Sequence, residues 1–158
     1  MSKEEAIFSA GCFWGVEDAF RLTNGVLETE VGYTGGNVEN PTYEMVCAGK
    51  THHAEAVKLT FDTDKISYDD LVRKFFSIHN PTTVNMQGPD IGDQYRSAIF
   101  YKNNEQKQIA EKIVVELEKN HAWPDRIVTE IVPFTNFYKA EEYHQKYFLK
   151  NGGGVCHI

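Results

Sequence analysis

A chain of 158 residues suits one domain, with a hydrophobic core that needs neither metals nor disulfides to hold it. Its net charge of -7 and lack of a basic patch argue against nucleic-acid binding. No apolar run approaches the roughly 18 residues that span a bilayer.

The three cysteines are odd in number and far apart, so they make no disulfide framework. The N-terminus, Met1-Ser2-Lys3-Glu4-Glu5, lacks the charged and apolar regions of a signal peptide. A reducing cytoplasm fits both, with any disulfide transient and catalytic.

In chain order, Ala6-Ile7-Phe8 reads as a short buried strand, and Phe13, Val16, Ala19 and Phe20 then recur at helical spacing. Between them lies Gly11-Cys12-Phe13-Trp14-Gly15. Cys12 therefore falls where a strand turns into a helix, near amide N–H groups and the positive end of the helix dipole, and a thiolate there could take the capping role. That setting lowers a thiol pKa and marks a candidate nucleophile.

Asn24-Gly25 breaks the pattern, and 27–33 alternates as a second strand. Thr34-Gly35-Gly36 opens a long irregular stretch that runs to Lys50. Residues 54–61 are a clear strand, and Ser67 caps a helix with Leu71, Val72, Phe75 and Phe76 on its apolar face. The loop 79–93 is long enough in a compact domain to suggest function. A strand at 95–102, an amphipathic helix at 105–119 and a strand at 127–132 follow. Ala140, Tyr143, Tyr147 and Phe148 predict a final helix, and 151–158 is a glycine-rich tail expected to be flexible.

Five strands alternating with four helices predict an α/β (α+β) two-layer sandwich. The strands mix apolar with charged residues, so the sheet should be mixed, covered by helices, with one face relatively open.

Four positions carry further chemistry. Alternation along 53–61 places Glu55 on the apolar side with Val57, Leu59 and Phe61, where desolvation would raise its pKa and make it a general acid, unless the strand's start lets it reach water. Cys156 follows three consecutive glycines, a tether able to swing a thiol, although chain ends commonly fray. Tyr43 and Tyr95 border irregular loops and could turn their hydroxyls toward a pocket.

Other residues have blander readings. Cys47, between Val46 and Ala48, looks like a structural thiol, and His144 like a packed or surface histidine. Cys47, His52, His53, Cys156 and His157 lack the spacing of a zinc site. No cofactor is expected.

The motifs together resemble the A-type peptide-methionine (S)-S-oxide reductases. Those carrying the resemblance are Gly11-Cys12-Phe13-Trp14-Gly15, Gly32-Tyr33-Thr34-Gly35-Gly36, Tyr43-Glu44 with Val46-Cys47, and His53-Ala54-Glu55. They continue through His79-Asn80-Pro81-Thr82, the run from Gln87 to Ser97, and Glu142-Tyr143-His144-Gln145. They keep their order and cover nearly the whole chain.

The resemblance implies a ferredoxin-like core and one reductase domain over 1–158. It implies that Cys12 attacks the sulfoxide sulfur while Glu55 protonates the oxygen. Tyr43 and Tyr95 would bond that oxygen, Asp90 would line the site, and Phe13 and Trp14 would receive the substrate methyl group.

Release of methionine would leave Cys12 as a sulfenic acid, resolved by Cys156 to a disulfide that thioredoxin reduces. The substrate would be methionine S-sulfoxide, free or in proteins, handled by a cytoplasmic monomer with no membrane or nucleic-acid partner. Some relatives carry two C-terminal cysteines, whereas this chain has Cys156 alone, and His52 stands where many relatives have glycine. A thiol peroxidase, or a sensor whose Cys12–Cys156 disulfide reports oxidant, would use the same two cysteines.

Overall fold

The computed structural model describes residues 2–151, so Cys156 and the rest of the glycine-rich tail lie outside the described residues. The elements are β1 (Lys3–Ala10), α1 (Phe13–Arg21), β2 (Val26–Thr34), α2 (Tyr43–Cys47), β3 (Ala54–Asp62) and α3 (Tyr68–Ser77). A two-residue hairpin, β4 (Met86–Gln87) and β5 (Asp90–Ile91), leads to a 3₁₀ turn at Asp93–Tyr95 and β6 (Ser97–Tyr101). Then come α4 (Asn104–Lys119), β7 (Glu130–Pro133), β8 (Phe137–Lys139), a 3₁₀ turn at Glu142–His144 and α5 (Tyr147–Asn151).

The main sheet has the order β7-β6-β1-β3-β2-β8. Its pairs are antiparallel except β6 with β7, so the sheet is mixed. The inner strands β6-β1-β3-β2, with α1 and α3 as crossovers, are the split βαβ arrangement of ferredoxin-like folds.

Alternation along the strands fixes which face meets the helices. Ala6, Phe8 and Ala10 of β1 join Val57, Leu59 and Phe61 of β3 in one core with Phe20 of α1, Leu71 and Phe75 of α3, and Ile113 of α4. Phe8 is its centre, with ring centroids 5.3 Å from Phe20 and 5.2 Å from Phe75. Ser67 caps α3 in a reciprocal box with Asp70, as its position before the apolar run predicts.

The opposite face, expected to be relatively open, has a small cover. Ile7, Ala54, Ala56, Ala98 and Phe100 pack there with Val132 of β7, Phe134 of the chain joining β7 to β8, and Phe137 of β8.

Two segments depart from the sequence reading. The irregular stretch after Gly36 contains α2, a five-residue helix capped by the Thr42 hydroxyl and too short to show periodicity. The final helix is broken. Phe137–Lys139 is an edge strand, and α5 begins only after Lys146, whose φ is +52°.

Hydrogen bonds to other elements override the helical spacing. The Gln145 amide bonds both backbone groups of Val31, and the Lys146 N–H donates to the buried Glu17 carboxylate at 2.6 Å. Because Phe8 is fully buried among rings, Phe8→Ala should cost about 3–5 kcal/mol of stability, read from urea unfolding midpoints.

Candidate active site

The chain leaves β1 through Gly11, whose φ of +95° lies in the left-handed region that glycine tolerates, and Cys12 follows as the N-cap residue of α1. The thiol, half-exposed, makes no capping hydrogen bond, contrary to the role expected for it. The first amide of the helix goes elsewhere: Phe13 N–H donates to Glu55 Oε1 at 3.2 Å.

Glu55 is 1% exposed, on the apolar side of β3 as alternation placed it. Its Oε2 is buried and hydrogen-bonded to no described residue. Burial pushes the carboxyl pKa up to about 8; negative charge at Cys12 adds to that, the Phe13 N–H opposes it, and Asp90 contributes least. At neutral pH Glu55 therefore carries a proton.

Two phenols share this space. Tyr43 opens α2, and Tyr95 ends the 3₁₀ turn after β5. Burial first, and the Glu55 charge second, hold both hydroxyls protonated well above the usual tyrosine range. The Tyr43 hydroxyl is hydrogen-bonded with the Cys47 thiol. Asp90, half-buried on β5, acts on both Glu55 and Tyr95.

The apolar side is aromatic. Phe13 is buried, 5.7 Å from Tyr33 and 6.4 Å from Tyr43 by ring centroids, and Trp14 stacks on Tyr147 at 3.9 Å. Cys12, Phe13, Trp14, Tyr43, Glu55, Asp90 and Tyr95 thus converge on the N-terminus of α1 from five separate elements.

Hydrogen bonds hold these elements in place. Both nitrogens of His53 are used: Nδ1 accepts from Gly36 N–H at 3.0 Å and Nε2–H donates to the Val38 carbonyl at 2.7 Å. A Cβ on Gly36 would sit 2.4 Å from the Thr51 oxygen, so that approach requires glycine. Arg96 Nη1 donates to the Asp93 carbonyl at 2.9 Å, tying the 3₁₀ turn to β6. Glu141 accepts from the Tyr33 hydroxyl at 2.9 Å and from Tyr43 N–H at 3.0 Å, which fixes the start of α2.

His52 adopts φ +60° and meets Asp93 at 3.0 Å. Cys47 is exposed on α2, which corrects its reading as a structural core thiol; burying Val46 turns the next position outward. The sequence reading missed Glu17, Glu141 and the role of His144, whose Nδ1 accepts from the Trp14 indole at 2.9 Å. For Glu141 and His144 the one signal was a place in or beside the Glu142–Gln145 motif, and for Glu17 there was none. No group of metal-ligating side chains among the described residues could hold an ion.

A cysteine beside a protonated carboxyl and two phenols is the equipment of a thiol oxidoreductase. Residues 4–158 match the family described as peptide methionine sulfoxide reductase. A relative from Methanothermobacter thermautotrophicus, named peptide methionine sulfoxide reductase MsrA, is 57% identical over 155 residues, covering 98% of this chain and 92% of its own.

The reduced form of Mxr1 from Saccharomyces cerevisiae superposes with a TM-score of 0.91 at 37% identity, over 99% of this chain and 91% of that one. Mxr1 in complex with Trx2 superposes with a TM-score of 0.67 at 25% identity, over 99% and 88%. The chain belongs to the peptide methionine sulfoxide reductase family. Reduction of methionine sulfoxide is the reaction its site has to perform.

A carboxyl whose folded pKa is raised contributes stability that is present at low pH and lost as pH rises through about 8. Glu55→Gln should therefore remove a fall in stability between about pH 5 and 8, measured by urea midpoints across that range.

Proposed function

We propose that Cys12 is the nucleophile and Glu55 the proton donor in reduction of the S epimer of methionine sulfoxide. The carrying observation is the buried, protonated Glu55 held against the residue next to Cys12. A sulfoxide oxygen leaves poorly until it is protonated, and thiols alone supply no acid strong enough near neutral pH.

The Cys12 sulfur forms a bond to the sulfoxide sulfur as Glu55 delivers its proton to the oxygen, with Tyr43 and Tyr95 donating hydrogen bonds to that oxygen. The sulfur–oxygen bond and the new sulfur–sulfur bond then both break as the protonated oxygen, a hydroxyl group, passes to the Cys12 sulfur. Methionine departs reduced by two electrons, and Cys12, oxidised by two, is a sulfenic acid. Phe13 and Trp14 take the methyl group of the substrate, and the Asp90 carboxylate borders the polar side.

Condensation of the sulfenic acid with the Cys156 thiol expels water and forms a disulfide, which thioredoxin reduces by exchange. The complex of Mxr1 with Trx2 supports thioredoxin as reductant. One reductase domain over 1–158, acting as a cytoplasmic monomer without cofactor, completes the reading. Among the described residues no helix is long and apolar enough to cross a membrane.

Four variants test the assignment. Cys12→Ser should abolish turnover of a methionine sulfoxide substrate with dithiothreitol. Glu55→Gln should lower the rate by order 10²-fold or more while the protein stays folded. Cys156→Ser should release about one methionine per enzyme yet lose thioredoxin-driven cycling, whereas Cys47→Ser keeps both. A rapid peroxide reaction with no sulfoxide turnover would instead favour a thiol peroxidase.

A further inference from the structure

Trp14 is held by two contacts. One face stacks on Tyr147, with the rings 10° from parallel, and its indole N–H donates to His144 Nδ1 at 2.9 Å. Stacking alone leaves a ring able to slide and turn in its plane, whereas the hydrogen bond fixes the edge. We infer that His144 positions Trp14 for the substrate methyl group, and does so only as the neutral imidazole. This rests on the role given to Trp14 above.

The chemistry of the pair sets the tautomer. An indole N–H donates and never accepts, so His144 Nδ1 must be bare and its proton must lie on Nε2. That Nε2 is buried and hydrogen-bonded to no described residue, so among the described residues the ring's side-chain hydrogen bonding rests on Trp14. A second proton would enter at Nδ1 and set two donors face to face, breaking the contact.

The surroundings of His144 favour the neutral ring. The side chain is fully buried, with ring centroids 5.2 Å from Phe13 and 5.6 Å from Trp14 on α1, 4.4 Å from Tyr43 on α2, and 4.0 Å from Tyr143 in its own turn. Burial holds Tyr43 in the neutral phenol form, and the pKa of the largely exposed Tyr143 is raised as well. Glu141 is the charged group acting on the imidazole; it favours protonation, but burial outweighs it and keeps the pKa below the ordinary 6.5. Glu141 is also committed to the Tyr33 hydroxyl and the Tyr43 amide.

Protonating His144 would release the Trp14 edge while leaving Cys12 and Glu55 in place. Substrate binding should then weaken while the chemical step continues.

The test uses the full chain carrying Trp123→Phe, which makes Trp14 the sole tryptophan. Indole fluorescence without substrate, and KM and kcat for a methionine sulfoxide peptide with dithiothreitol, are followed from about pH 5 to 8. Fluorescence and KM should titrate together below 6.5, with KM rising about three- to tenfold toward acid and kcat changing less.

His144→Asn places an amide oxygen near the Nδ1 position and cannot titrate, so both readouts should become flat at low KM. His144→Phe should raise KM at every pH. Should either variant fail to fold, Trp14→Phe serves instead and should abolish the acid rise in KM. An unchanged Trp14 fluorescence, or a KM that still titrates in His144→Asn or Trp14→Phe, overturns the inference. Absence of sulfoxide turnover at every pH in the parent chain would overturn the proposed function instead.

Discussion

The bond from the Phe13 amide to Glu55 joins the middle of the sheet to the start of α1, and the site depends on it. A hydrogen bond to a charged group contributes about 1.5–3 kcal/mol, less than the several kcal/mol that burying a carboxylate costs. One donor is therefore enough to aim the carboxyl and too little to keep it ionised. That imbalance lets a glutamate stay protonated at neutral pH, and the aromatic layer around Phe13 maintains it by excluding water.

Around that joint the site is assembled from segments far apart in the chain. Residues 140–147 contribute most of the ties: Glu141 to Tyr33 and Tyr43, His144 to Trp14, Gln145 to Val31, and Lys146 to Glu17. Two of these partners, Tyr43 and Val31, are bonded through backbone groups, whose positions α2 and the sheet already fix. A segment read from its apolar spacing as a terminal helix is in large part a strap across the aromatic side of the site.

The parts legible in the sequence were those set by local periodicity or local backbone chemistry. Alternation in β3 put Glu55 on the apolar side while leaving its access to water open, the glycine before Cys12 marked the turn into α1, and Ser67 before an apolar run marked the cap of α3. What escaped was set by contacts at long range. The turn at Glu142–His144 is stabilised by bonds to β2 and α1 more than 100 positions away, which no spacing rule carries. The exposure of Cys47 depends on how α2 lies on the core through Val46, and its apolar neighbours in sequence are not its neighbours in space.

The outer strands of the sheet have a consequence for solution behaviour. β7 is four residues long and ends in exposed Pro133, which has no N–H to offer a further strand. β8 spans three residues and ends in exposed Lys139. Neither border gives a passing polypeptide a template for extension, and both carry the short length, proline or charge that discourages edge-to-edge growth.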